Sequence, residues 1–202
     1  MKTYAIKKTI PVLRVDFGPK GHYFRKNSIT STGYNIMKPH IITIVGKSNS
    51  GKTTLLEKLI ACLREKGYRT GTVKHAHDGF EMDKKGKDSW RHRKAGAQAT
   101  LVITAGQVAL LKDDDSDYLN KMRNYLADMD IILAEGFKKQ ALPKIEVFRK
   151  ESTHKKPLCL EDENLVAFVS DSEYKPDVPR FGLEDIRQLA DFIESNFIGK
   201  SQ

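Results

Sequence analysis

Nine consecutive residues, Gly46, Lys47, Ser48, Asn49, Ser50, Gly51, Lys52, Thr53 and Thr54, spell a phosphate-binding loop and constrain this chain more than any other feature. They match G-x-x-x-x-G-K-[ST], a spacing with a mechanical basis. The two glycines let the backbone turn tightly enough for several N–H groups to converge on phosphate oxygens. Lys52 is placed to reach the β- and γ-phosphates, and the Thr53 hydroxyl to hold magnesium. The flanks agree. Residues 41–45 are an apolar, mostly β-branched run of the kind that forms a buried parallel strand. Beyond the loop, Leu55, Leu56, Leu59, Ile60 and Leu63 share one helical face, and Lys66-Gly67 closes the helix. A strand, a glycine loop and a helix whose N-terminus faces the phosphates are what anion binding requires.

The remaining chain alternates strands and helices. Strands are expected at 70–73, 99–104, 107–111, 131–134, 144–148 and 165–169. Helices are expected from Asp88 or Ser89 to about 95, over 118–127, and at the C-terminus, where Leu183, Ile186, Ala190, Ile193 and Phe197 share a face. This order implies an α/β, P-loop NTPase three-layer fold: a mostly parallel open sheet with helices on both faces. Ligands of such sheets sit at the carboxyl ends of the strands. The 144–149 segment alternates charged and apolar residues, which reads as a half-exposed edge strand. The acidic turn 113–117 opens a helix, where carboxylates favour the helix dipole; a divalent-cation site is the competing reading.

The length of 202 residues allows one α/β domain with an extension. Met37-Lys38-Pro39-His40 leads directly into the first strand, so the domain is expected to span 37–202. Residues 1–36 are expected to be a basic extension, either an appendage or a leader ahead of a start at Met37. Residues 10–17 could form a strand, and 28–33 look like linker. The net charge of +9 is concentrated there: residues 1–40 hold eight Lys/Arg and one acid, leaving only +2 on the rest. The nucleotide-binding part is nearly neutral, so no nucleic-acid partner is expected. Cys62 and Cys159 make no disulfide framework, no apolar run approaches ~20 residues, and no apolar stretch of about 7–15 residues follows the basic N-terminus. A cytoplasmic protein without a membrane segment is expected.

Several residues are candidates for chemistry. Glu135 ends an apolar strand before Gly136, where a P-loop fold needs a carboxylate to orient magnesium through water. Magnesium keeps several waters, so Thr53 and one acid suffice. The charged loop 75–87 could order around a γ-phosphate. Within and beside it, Asp78, Asp83 and Asp88 are candidate metal or water ligands, and Lys74, Lys87 and Arg91 candidate phosphate cations. His75 and His77 are candidates for turnover; with His92 they also admit a zinc reading, although no cysteine is near. Asp171 follows the strand at 165–169, where a carboxylate could accept from both N1–H and N2–H₂ of guanine; an Asx turn is the plainer reading.

These residues together resemble the MobB family of molybdopterin-guanine dinucleotide biosynthesis proteins. The resemblance covers about 40–198. It is carried by the P-loop, by Gly71-Thr72-Val73-Lys74-His75, by Gly86-Lys87-Asp88-Ser89-Trp90 with Arg93-Lys94-Ala95-Gly96-Ala97, by Ile132-Leu133-Ala134-Glu135-Gly136-Phe137-Lys138, by Lys144-Ile145 with Phe148-Arg149, and by Val169-Ser170-Asp171. It implies a homodimeric GTP-binding protein using Mg²⁺, with weak GTPase activity. Its partner would be a MobA-type guanylyltransferase that attaches GMP to molybdopterin in molybdenum cofactor biosynthesis. A non-catalytic GTP- or cofactor-delivering adaptor, a metal-insertion GTPase of the hydrogenase or urease maturation type, and a small-molecule kinase are the competing functions.

Overall fold

A computed structural model of the chain describes residues 38–76, 79–152 and 155–199. The expected extension at 1–36, including the candidate strand at 10–17, lies outside the described residues, as do His77 and Asp78.

Six strands form one parallel sheet in the order β2-β5-β1-β6-β7-β8. They are β1 (His40–Val45), β2 (Thr70–Lys74), β5 (Ile131–Glu135), β6 (Lys144–Phe148), β7 (Leu165–Ser170) and the short β8 (Arg180–Phe181). Between β2 and β5 the chain makes α2 (Asp88–Lys94), an antiparallel hairpin of β3 (Ala99–Ile103) and β4 (Val108–Lys112), and α3 (Tyr118–Tyr125). Helix α1 (Lys52–Glu65) follows the P-loop, and α4 (Ile186–Ile193) runs on into a π-helical turn, Glu194–Ile198.

Period-2 alternation along the buried strands feeds two cores. Ile42 and Ile44 of β1, Leu133 of β5, Ile145 and Val147 of β6 and Val169 of β7 face Leu55, Leu56, Leu59 and Leu63 of α1 and Leu189 and Ile193 of α4. Ile41, Ile132 and Ala134 point the other way, against Met122 of α3 and Phe137. The expected layers are therefore present. Helix α1 stops as read: Gly67 has φ 90°, and Tyr68 N–H donates to Leu63 O at 3.0 Å. Lys66 reaches across to Asp191 and Glu194, tying α1 to the C-terminal helix.

The structure adds the short β8, which is not among the expected strands, and it places β6 differently. Far from being a half-exposed edge, β6 lies between β1 and β7 and every residue of it is buried. Its two charges are accommodated inside. Lys144 donates to Gln140 O (2.8 Å) and pairs with Asp162 (3.1 Å). Glu146 accepts the backbone N–H groups of Leu158 and Cys159, which lie between β6 and β7 in the chain. A buried charge that is fully hydrogen-bonded can stand where an unpaired one could not.

Candidate functional site

The P-loop takes the shape its residues dictate. A Cβ on Gly46 would lie 2.4 Å from Val147 O, so only glycine lets the loop pass this close to β6. Asn49 (φ 60°) and Gly51 (φ 90°) supply the left-handed turns that aim successive N–H groups inward. Ser50 is buried, and its Oγ has no partner among the described residues. Lys47 and Ser48 form the outer rim. Lys52 folds back so that its Nζ donates to Lys47 O at 2.7 Å. Burial holds its ammonium below the ordinary lysine value; Glu135 opposes that shift and Lys74 adds to it.

Parallel pairing of β1 with β5 brings the end of β5 beside the loop. Thr53 Oγ1 lies 3.3 and 3.4 Å from the two Glu135 carboxylate oxygens, although the residues are 82 apart in the chain. A hydroxyl and a carboxylate at this spacing, beneath a cradle of glycine-shaped backbone, fit a magnesium ion, which Thr53 would hold directly and Glu135 through water. That ion would supply charge neutralisation to bound phosphates.

Beyond Glu135 the chain turns through two left-handed residues, Gly136 (φ 96°) and Phe137 (φ 57°). A non-glycine residue there is uncommon. Phe137 is held by burial and by edge-on contacts with His75 (4.9 Å) and Tyr118 (5.3 Å). His75 N–H donates to Glu135 O (3.1 Å), and its Nε2 lies 3.1 Å from the Tyr118 hydroxyl. His75 thus belongs to an aromatic cluster directly behind the candidate metal ligand. Neither Tyr118 nor Phe137 stands out in the sequence as a site residue, because their meeting depends on α3 docking against the end of β5.

The other candidates are spread wider. Asp83 accepts from Ser89 Oγ at 2.9 Å, fastening the charged loop to α2, while its second oxygen is buried without a partner among the described residues. No described hydrogen bond joins it to Thr53 or Glu135. Helix α2 begins at Asp88, with Lys87 rather than an acid or serine at the cap position. In the acidic turn, Asp117 caps α3 by accepting from Asn120 N (2.9 Å), and Asp114 accepts from Ser116 N and Tyr125 Oη. Among the described residues no group of three or more His, Cys, Asp or Glu could hold a metal. Asp171 is exposed, and its Oδ1 accepts from Lys150 N at 2.7 Å, linking the ends of β6 and β7. Thr54 is exposed on the first turn of α1.

A cavity of about 450 Å³ opens at the ends of β6 and β7, on the sheet face opposite α1, among Phe148, Lys150, Lys155, Ser172, Glu173 and Tyr174. No P-loop residue lines it. Among the described residues, no helix is long and apolar enough to cross a membrane.

The parallel sheet, the glycine loop between β1 and α1 and the carboxylate on the neighbouring strand define a P-loop α/β protein. A family model described as "Molybdopterin guanine dinucleotide synthesis protein B" matches residues 41–171. The chain is 37% identical over 158 residues to a molybdopterin-guanine dinucleotide biosynthesis adapter protein of Escherichia coli, covering 76% of this chain and 90% of that protein. It is 37% identical over 159 residues to the adapter protein of Haemophilus influenzae, covering 77% and 88%. The crystal structure of Bacillus subtilis MobB superposes with a TM-score of 0.63 at 30% identity, covering 80% of this chain and 99% of that one. The chain belongs to the MobB family.

Proposed function

We propose that this chain is a Mg²⁺·GTP-binding accessory protein that hydrolyses GTP slowly and serves the guanylylation of molybdopterin in molybdenum cofactor biosynthesis. The observation that carries the reading is the approach of Thr53 to Glu135 across the mouth of the P-loop. Two oxygen donors, one from the first turn of α1 and one from the end of β5, converge where the metal of a bound nucleoside triphosphate would sit. The backbone from Gly46 to Thr54 and the Lys52 ammonium bind the phosphates. Asp171 is the candidate reader of guanine, and its exposed carboxylate supports that role. His75, and His77 beyond the described residues, act in turnover or in signalling to a partner.

Family membership supports the remaining assignments. Relatives are described as adapter proteins of molybdopterin-guanine dinucleotide biosynthesis, which supports a MobA-type guanylyltransferase and molybdopterin or its molybdenum form as partners. It also favours a second reading, in which the protein delivers GTP or cofactor and hydrolysis is incidental. A homodimer is supported by the hairpin. Leu101 pairs with Leu110 and Ile103 with Val108, a four-residue apolar stripe left 43–67% exposed. A ribbon of that kind is a ready surface for a second copy.

The test is thermal unfolding with Mg²⁺ and guanine or adenine nucleotides. At about a hundred times the dissociation constant, GTP should stabilise the fold by ~2.7 kcal/mol, and Lys52→Ala should remove most of that shift. Equal shifts in parent and variant would refute nucleotide binding at this loop. Product formation by a MobA-type enzyme from GTP and molybdopterin, with and without this protein, then separates the two readings. Stimulation by the non-hydrolysable complex alone would favour the adaptor.

A further inference from the structure

The P-loop strand β1 is flanked on both sides, by β5 and by β6. On β5, Leu133 packs toward α1, so alternation sends Glu135 to the same face, where it meets Thr53. On β6, Ile145 and Val147 pack toward α1, and alternation sends Arg149, one residue past the strand, to that face as well. Because β5 and β6 pair with opposite edges of β1, Glu135 and Arg149 straddle the loop.

Arg149 is in close contact with the loop. Its Nε would lie 3.0 Å, and its Nη2 3.2 Å, from a Cβ built on Gly51. The guanidinium forms no ion pair among the described residues, and its Nε is buried without a hydrogen-bond partner there. It lines a small recess of about 10 Å³ with Gly51, Thr54, Lys58, Leu183 and Glu184. The one carboxylate in that recess, Glu184, is engaged by Lys58 at 2.5 Å. Ser50, 2% exposed, adds a second unpartnered donor inside the loop. A planar cation with an unused fork of donors, beside the N-terminus of α1, is complementary to an anion with several oxygens.

Which part of a nucleotide it meets follows from the other flank. A magnesium ion held by Thr53 and Glu135 would place the terminal phosphates of a bound nucleotide toward β5. The phosphate nearest the ribose would then lie toward β6, the opposite edge of β1. We propose that Arg149 binds the nucleoside-proximal phosphate, making it a binding residue for di- and triphosphates alike and not a group that acts on the γ-phosphate. The proposal rests on nucleotide binding at the P-loop, and it explains why the end of β6 carries an arginine beside Gly51.

The experiment compares parent, Arg149→Ala, Arg149→Lys and Lys52→Ala by calorimetric titration with GDP, a non-hydrolysable GTP analogue and pyrophosphate, with Mg²⁺ present, alongside steady-state GTP turnover. Arg149→Ala should weaken GDP and the GTP analogue by the same factor, about tenfold or more. It should leave pyrophosphate affinity within about twofold of the parent. Arg149→Lys keeps the stem and the charge, and should weaken both nucleotides equally but by less; it stands in should the alanine variant not fold. Lys52→Ala should weaken all three ligands. Unchanged nucleotide affinity with a lowered melting temperature would make Arg149 structural and overturn the proposal. A loss of turnover with GDP binding intact would overturn it in favour of a γ-phosphate role. A parent protein that binds none of the ligands would refute the P-loop reading itself, and the proposal with it.

Discussion

Glu135→Gln separates the effect of charge from that of shape at the candidate metal site. The side chain keeps its size and one acceptor oxygen for the Thr53 hydroxyl now 3.3 Å away. It loses the negative charge. A carboxylate one water away from Mg²⁺ is about 4.5 Å from it; at an effective dielectric of about 20 the gross attraction is ~7 kcal/mol. Desolvation offsets most of that, and outer-sphere partners of this kind are worth about 10–100-fold in metal affinity. Binding of GTP in the presence of Mg²⁺ should therefore weaken by about 10–100-fold. Without metal the sign reverses. Glu135 then faces phosphate oxygens, and it also lies close enough to Lys52 to raise that ammonium's pKa. Removing the charge relieves repulsion of the anion, so nucleotide binding in EDTA should become several-fold tighter. Fluorescent-nucleotide titrations at fixed ionic strength, with Mg²⁺ and with EDTA, measure both limbs. Equal weakening in both conditions, or an unaltered Mg²⁺ dependence, would show that Glu135 shapes the loop and does not hold the metal's water.

Two further predictions concern the sheet and the hairpin. Glu146 is buried, and burial raises its carboxyl above the ordinary glutamate value despite the Leu158 and Cys159 N–H bonds. Between the ordinary and the raised value the folded state holds more protons, so this residue's contribution to stability falls as pH rises through that window. Urea midpoints of Glu146→Gln should lack this slope, and the variant should be about 1–3 kcal/mol less stable at low pH, where one backbone N–H loses its acceptor; parallel pH profiles for the two proteins would refute the assignment. Ile103→Lys places a charge in the exposed hairpin stripe opposite Val108. A dimer formed there should lose at least about 1.5–3 kcal/mol of apolar burial per copy and shift to monomer in sedimentation, with nucleotide affinity unchanged within a few-fold.

What the sequence by itself determined is local or periodic. The P-loop is nine contiguous residues, and its geometry needs only glycine at Gly46 and Gly51 and a strand and helix on either side. The apolar faces of α1 and α4, the buried runs of β1 and β5 and the turn at Gly67 are legible because backbone period and side-chain chemistry act within a few residues. The 99–112 hairpin is legible for the same reason. Glu135 was identifiable as a strand-end acid, but its meeting with Thr53 requires β5 to pair with β1. Which strands become neighbours is decided by competition among non-local pairings, which no window of sequence contains.

The same physics explains the misplacement of β6. Alternating Lys144-Ile145-Glu146-Val147-Phe148 has the pattern of a half-wet strand, and hydropathy alone favours the sheet edge. Only the tertiary structure supplies Asp162, Gln140 and the Leu158 and Cys159 N–H groups that make those charges tolerable inside. Once β6 is central, Arg149 emerges beside Gly51 instead of at the periphery. Its place beside the loop could not be read until strand order was known, because what an arginine can bind depends on which anion-binding backbone lies within reach of its guanidinium, and strand order sets that distance.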